Sequence, residues 1–183
     1  MFVNLLIIKQ KKVIQQQKPL TFVGFILYFI NNQIAMIDLY NDEYFMREAL
    51  KEAYKAYEED EVPVGAVIVS ENRIIARAHN QSERLVDVTA HAEVLAITAA
   101  SDYLGAKFLE DCVMYVSLEP CLMCAGALRW CRIAKLVYGA DDPKNGYKQF
   151  LSHPFHPATS VESGLLAGES AALLSSFFKK KRV

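Results

Sequence analysis

The sequence predicts a three-layer α/β domain. Segments of helical and strand period alternate along residues 36–183. No repeat or low-complexity tract interrupts them. Apolar residues make up 52% of the chain and charged residues 22%, a globular composition. At 183 residues the chain suits one domain with a sizeable core.

Residues 1–35 read as a leader, disordered or outside the native protein. They hold Lys9, Lys11, Lys12 and Lys18 and no acid. Their longest apolar run, Leu20 to Ile30, is 11 residues, where a spanning helix needs about 20. The following Asn31-Asn32-Gln33-Ile34-Ala35 is a poor cleavage site for a signal peptide. The plainer expectation is that translation begins at Met36.

From Met36 the pattern is orderly. Asn41 or Asp42 can cap a helix in which Phe45, Met46, Ala49, Leu50, Ala53 and Tyr57 recur at helical spacing, ending in the acidic run Glu58–Glu61 before Pro63. Val64–Val69 and Arg73–Ala78 read as strands around the turn Ser70-Glu71-Asn72. The polar loop Asn80–Asp87 leads to a helix from about Ala90 to Ala100. Val113–Leu118 is an apolar strand, Cys121–Cys131 a short helix and Ile133–Gly139 a further strand. A loop with Pro143, Gly146, Pro154 and Pro157 follows, and a helix from about Ser170 to Lys181 ends the chain.

The formal net charge of −1 does not mark a nucleic-acid binder. Beyond the leader, 16 basic and 21 acidic side chains remain, so any RNA contact must come from a local patch. Four cysteines, two in a Cys-x-x-Cys pair, suit a reducing compartment and a metal or redox site better than a disulfide framework.

Two motifs carry chemistry: His91-Ala92-Glu93 and Pro120-Cys121-Leu122-Met123-Cys124. Cysteines three apart share one face of a helix, so both thiolates can reach one ion. Each motif opens a helix, whose free N–H groups and positive dipole end then point at the site. One nitrogen and two sulfurs leave a tetrahedral zinc one open position for water. Glu93 lies about 200° around the helix from His91 and reaches the same cavity only because the site is at the helix tip. There it can move protons without binding the metal. Alone, Cys121 and Cys124 would also fit a redox pair or half of a structural zinc site. A structural site needs a fourth ligand, and Cys112 and Cys131 read as buried apolar residues. Together, the two motifs favour a catalytic zinc.

His-x-Glu followed by Pro-Cys-x-x-Cys is the zinc deaminase signature. The chain also carries Val62-Pro63-Val64-Gly65-Ala66-Val67, Asp87-Val88-Thr89-Ala90, Ser117-Leu118-Glu119 and Tyr138-Gly139-Ala140. From about Asp42 to Arg182 it resembles the bacterial tRNA-specific adenosine deaminase family of the cytidine/deoxycytidylate deaminase-like superfamily. That resemblance implies a cytidine-deaminase-like α/β/α fold with a central mixed sheet of about five strands, making 36–183 a zinc-dependent deaminase domain. It implies one Zn2+ per subunit on His91, Cys121 and Cys124, with Glu93 as the catalytic proton carrier. The reaction implied is hydrolytic deamination of a wobble adenosine to inosine in a tRNA anticodon stem-loop. Water adds at C6 of adenine, and Glu93 returns protons to N1 and to the departing amine.

The resemblance also assigns substrate contacts. Asn80 would hydrogen-bond the flipped-out base, the Ala92 N–H would meet its reacting edge, and Asp142 would lie near the RNA sugar. Val62 would wall the base pocket. Without the resemblance, Asn80 is a turn residue in a glycosylation sequon with Ser82, and Asp142 a turn residue before Pro143. Segment 145–150 departs from the family pattern, so anticodon-loop contacts there do not carry over. His153 and His156, between prolines, read as surface residues. A homodimer in the cytoplasm, without membrane contact, is also implied.

The zinc motif does not choose the substrate, since free-base or nucleoside deaminases of guanine or cytosine share it. The ending Phe177-Phe178-Lys179-Lys180-Lys181-Arg182 favours RNA, since four cations there would contact phosphates.

Overall fold

Side chains alternate between two cores across a five-stranded sheet. The computed structural model describes residues 40–182; the leader expected over 1–35 lies outside them. The strands are β1 (Gly65–Ser70), β2 (Arg73–His79), β3 (Cys112–Leu118), β4 (Lys135–Ala140) and β5 (Ser160–Ser163). Their order is β2-β1-β3-β4-β5. The pairs β1/β2 and β1/β3 are antiparallel, β3/β4 and β4/β5 parallel, so the sheet is mixed as expected.

Successive strand residues point to opposite faces. Ala66, Ile68, Met114, Val116, Leu136 and Tyr138 enter one core; Val67, Val69, Tyr115 and Val137 enter the other. The second core is covered by α1 (Asp42–Glu58), whose Phe45, Met46 and Ala49 pack into it. Asn41 caps this helix, its Oδ1 accepting the Tyr44 N–H at 2.8 Å. Helix α1 lies so close to β1 that a Cβ on Gly65 would strike the backbone of Ala49 and Ala53.

A one-turn helix α2 (Ser82–Leu85) follows β2. Helix α3 (Ala92–Leu104) and helix α4 (Leu122–Cys131) cover the other face through Ala92, Ala96, Ala125 and Leu128. Helix α5 (Ala167–Lys181) packs on β4, β3 and α1, completing three layers.

Four expectations shift. Helix α3 runs on to Leu104, stopping at Gly105 with φ +61°, the left-handed region glycine tolerates. Strand β4 begins two residues later than expected, at Lys135. The proline loop ends in a fifth strand, β5, whose mostly exposed Ser160, Glu162 and Ser163 give no apolar pattern to read. Helix α5 begins at Ala167, three residues early. Among the described residues no helix is long and apolar enough to cross a membrane.

Candidate active site

His91 and Cys121 are the N-cap residues of α3 and α4, both with extended backbone (φ −75°, ψ 152°; φ −70°, ψ 171°). Neither side chain caps its own helix, so imidazole and thiol are free to converge at the positive ends of the two helices. Cys124 sits in the first turn of α4 and is buried. The end of β3 is held beside β4 where the Glu119 N–H donates to Ala140 O at 2.8 Å, which delivers Pro120 and Cys121 to the site.

His91 Nδ1 lies 3.6 Å from Cys121 Sγ and 3.5 Å from Cys124 Sγ. The three donor atoms all fall within 4.8 Å of one another, the one such cluster among the described residues. Bonds of about 2.3 Å to sulfur and about 2.0 Å to nitrogen in a tetrahedron put sulfur and nitrogen about 3.5 Å apart, so the donor set fits zinc.

Its electrostatics fit too. Hydrogen bonding from Cys124, and also from His91, brings the Cys121 thiol down to about 4 despite burial. The Cys121 thiolate and burial in turn hold the Cys124 thiol far up. The bond to Cys121 raises His91 against the effect of burial. Two neighbouring sulfurs cannot both ionise unaided, and a divalent cation between them removes that conflict. Glu93 is 3% exposed, and burial pushes its carboxyl up to about 7.

A cleft of about 900 Å3 opens over this centre. His91, Glu93, Cys121 and Asn80 line it, with Val62 as expected. Asp142, Lys144 and Asn145 form one wall; Leu174, Phe178, Lys179 and Arg182 of α5 and its end form another.

The chain from 39 to 140 matches the cytidine and deoxycytidylate deaminase zinc-binding region. It belongs to that family. The enzyme is accordingly a zinc-dependent hydrolase, with His91, Cys121 and Cys124 positioned to bind the metal. This deaminase is 49% identical over 145 residues to the tRNA-specific adenosine deaminase of Agrobacterium fabrum, covering 76% of this chain and 95% of that one. It is similar to a solved tRNA:A34 deaminase studied for A-to-I editing at the wobble position: 49% identity, TM-score 0.68, 72% of this chain and 99% of that one. A guanine deaminase from Nitrosomonas europaea is more distant, at 25% identity and TM-score 0.64 over 75% and 84% of the two chains.

The deaminase structure brings five of the seven expected site residues, Asn80, His91, Glu93, Cys121 and Asp142, to the cleft lining, buries Ala92 and Cys124, and engages several of the seven within the protein. Asn80 Oδ1 accepts the Ala92 N–H at 2.8 Å. That N–H, expected at the base edge, is therefore occupied, and the Asn80 amide NH2 is left as the donor. Asp142 lines the cleft mouth, but its Oδ1 accepts the Lys144 and Asn145 N–H groups at 2.9 and 3.1 Å, holding a turn. His153 is exposed, and His156 Nδ1 accepts the Ala158 N–H. Cys112 and Cys131 are buried, as expected.

The terminal cations divide. Lys179 and Arg182 line the cleft, while Lys180 and Lys181 lie 3.8 and 2.5 Å from the Asp60 carboxylate. Two buried carboxylates went unread: Glu61 accepts from Ser82 Oγ and from the Glu83 and Arg84 N–H groups of α2, and Glu119 accepts from the loop after β4. Glu61 stands in the acidic run before Pro63, and two of its three partners are backbone N–H groups, which leave no mark on side-chain periodicity.

Proposed function

We propose that this enzyme deaminates the wobble adenosine of a tRNA anticodon loop to inosine. The observation that carries the reading is the cleft: the metal-ligand cluster lies at its base and Lys144, Lys179 and Arg182 at its walls. Its volume of about 900 Å3 is near the top of the range for small-ligand pockets, roughly 300–1,000 Å3, leaving room for nucleotides that flank the target base. The likeness to tRNA-specific adenosine deaminases along 95% of one of them supports it.

The chain's residues divide the work. The target base leaves the stack and enters the cleft, which costs least from a single-stranded loop. The Asn80 NH2 hydrogen-bonds the base, with Val62 against it. The Ala92 N–H holds the Asn80 side chain in place for that contact, and the free Asp142 oxygen faces the RNA sugar. His91, Cys121 and Cys124 would hold zinc, which would supply Lewis acidity that makes the attacking water more acidic. Water adds at C6 of adenine, and Glu93 takes its proton and passes it to N1. The hydroxyl proton of the adduct then returns through Glu93 to the amino group, which leaves as ammonia and gives inosine. A carboxyl at about 7 is poised to accept and release protons near neutral pH.

The reading extends to a homodimer in the cytoplasm. Val86, Val88 and Trp130, at 92%, 84% and 81% exposure, are large apolar groups in the segment before α3 and on α4, suited to burial against a second copy. Light scattering of the purified protein tests that; a monomer would refute it. Four free cysteines accord with a reducing compartment.

The assay is purified protein with arginine tRNA transcripts, read for inosine at the wobble position. Inosine supports the reading. Ammonia from guanine or cytosine, with no inosine in tRNA, would replace it with a free-base deaminase.

A further inference from the structure

Glu119 joins the two halves of the site. It is 3% exposed, lines the cleft, and stands two residues before the metal-facing Cys121. Its carboxylate accepts two backbone N–H groups from the facing wall, Asp142 onto Oε2 at 3.0 Å and Lys148 onto Oε1 at 2.9 Å. The Tyr147 N–H donates to Pro120 O at 2.9 Å, and Cys121 and Gly146 form an isolated antiparallel bridge. Gly146 lies so near that an added Cβ would stand 2.6 Å from Glu119 Oε1 and 2.6 Å from Asp142 O. The wall so anchored carries Lys144 into the cleft. Proton transfer by Glu93 uses none of these contacts.

We infer that Glu119 is a positioning residue: it sets the spacing between Cys121 and the wall 141–148, and through that spacing the affinity for a polynucleotide substrate. The inference rests on the tRNA reading above. Two N–H groups need two acceptors, and a carboxylate supplies both. An amide supplies one oxygen and turns its own NH2 against the other N–H, donor facing donor. Glu119→Gln therefore releases one anchor of the wall. Cys121 keeps its place, because its carbonyl still accepts the Ala125 N–H of α4.

The test uses the full chain loaded with zinc. In Glu119→Gln the KM and Kd for tRNA rise about tenfold, the scale of one lost hydrogen bond to a charged group. The kcat stays within about threefold and zinc content is unchanged, because the interaction serves binding and not the chemical step. Amide exchange at Asp142 and Lys148 accelerates. Glu119→Asp, which keeps both acceptors on a shorter arm, recovers part of the affinity. Gly146→Ala strains the same contact from the other side and gives the same split of KM from kcat. An unchanged KM in folded Glu119→Gln overturns the inference. So does a joint fall of zinc content and kcat, which would make Glu119 a prop of the metal site. Wild-type enzyme is assayed alongside: if it edits no tRNA, the function reading fails, whereas editing with an unmoved variant KM refutes Glu119's role alone.

Discussion

The four cations at the C-terminus should not contribute equally to RNA binding. Lys179 and Arg182 face the cleft, whereas Lys180 and Lys181 already face Asp60 and lie over the rings of Tyr57 and Phe177. Each phosphate contact on single-stranded nucleic acid contributes about 0.7 to the slope of log affinity against log salt. Lys179→Ala with Arg182→Ala should therefore flatten the slope for an anticodon stem-loop by about 1.4. Over a fourfold change in salt, that is about a sevenfold difference in how much binding is lost. Lys180→Ala with Lys181→Ala removes the same formal charge and should leave the slope nearly unchanged. Filter binding of both double variants at several salt concentrations measures this. Equal flattening by the two pairs, or a larger effect of the Lys180/Lys181 pair, would refute the division of roles.

Other outcomes follow from the same structure. Cys124→Ser replaces a buried soft ligand by a hydroxyl, so zinc content measured by atomic absorption should fall well below that of wild type. Leu128→Ala opens a cavity under the fully buried inner face of α4 and should cost about 2–5 kcal/mol in denaturant unfolding. Burial opposes ionisation of Asp42, but hydrogen bonds from Tyr115 and Lys135 outweigh it and hold the carboxyl below 3.8. Its stabilising contribution is therefore present above about pH 4 and lost as pH falls through the lower folded value. Tyr115→Phe removes one of those bonds, so acid unfolding followed by circular dichroism should begin at a higher pH.

The sequence already displayed the chemistry of the site because zinc ligation depends on residue type and spacing. His91, Cys121 and Cys124 converge where two helices begin, and a capping position is a local property that one-dimensional reasoning can reach. The three layers were legible from helical and strand segments alternating along the chain, whereas the split of Ala66/Ile68 from Val67/Val69 across the sheet is seen only in the structure, because Val64–Val69 is apolar throughout. What escaped depends on long-range backbone partners. Strand β5 pairs with β4 and presents mostly polar side chains, Glu162 reaching Lys135 across the pair, so it carries no apolar period. Glu119 reads as part of a motif, yet its partners lie 23 and 29 residues away. The engagement of the Ala92 N–H by Asn80 could not be foreseen either, because Asn80 folds back across the loop and α2 onto the start of α3.

The central claim is a zinc site whose protons are moved by Glu93, and Glu93→Gln tests it most directly. The amide keeps the side chain's shape and cannot accept and return a proton. Inosine formation in tRNA should fall by at least about 100-fold, the lower end of what a general acid–base residue contributes, with zinc content unchanged. Turnover within about tenfold of wild type in the zinc-loaded variant would contradict the account.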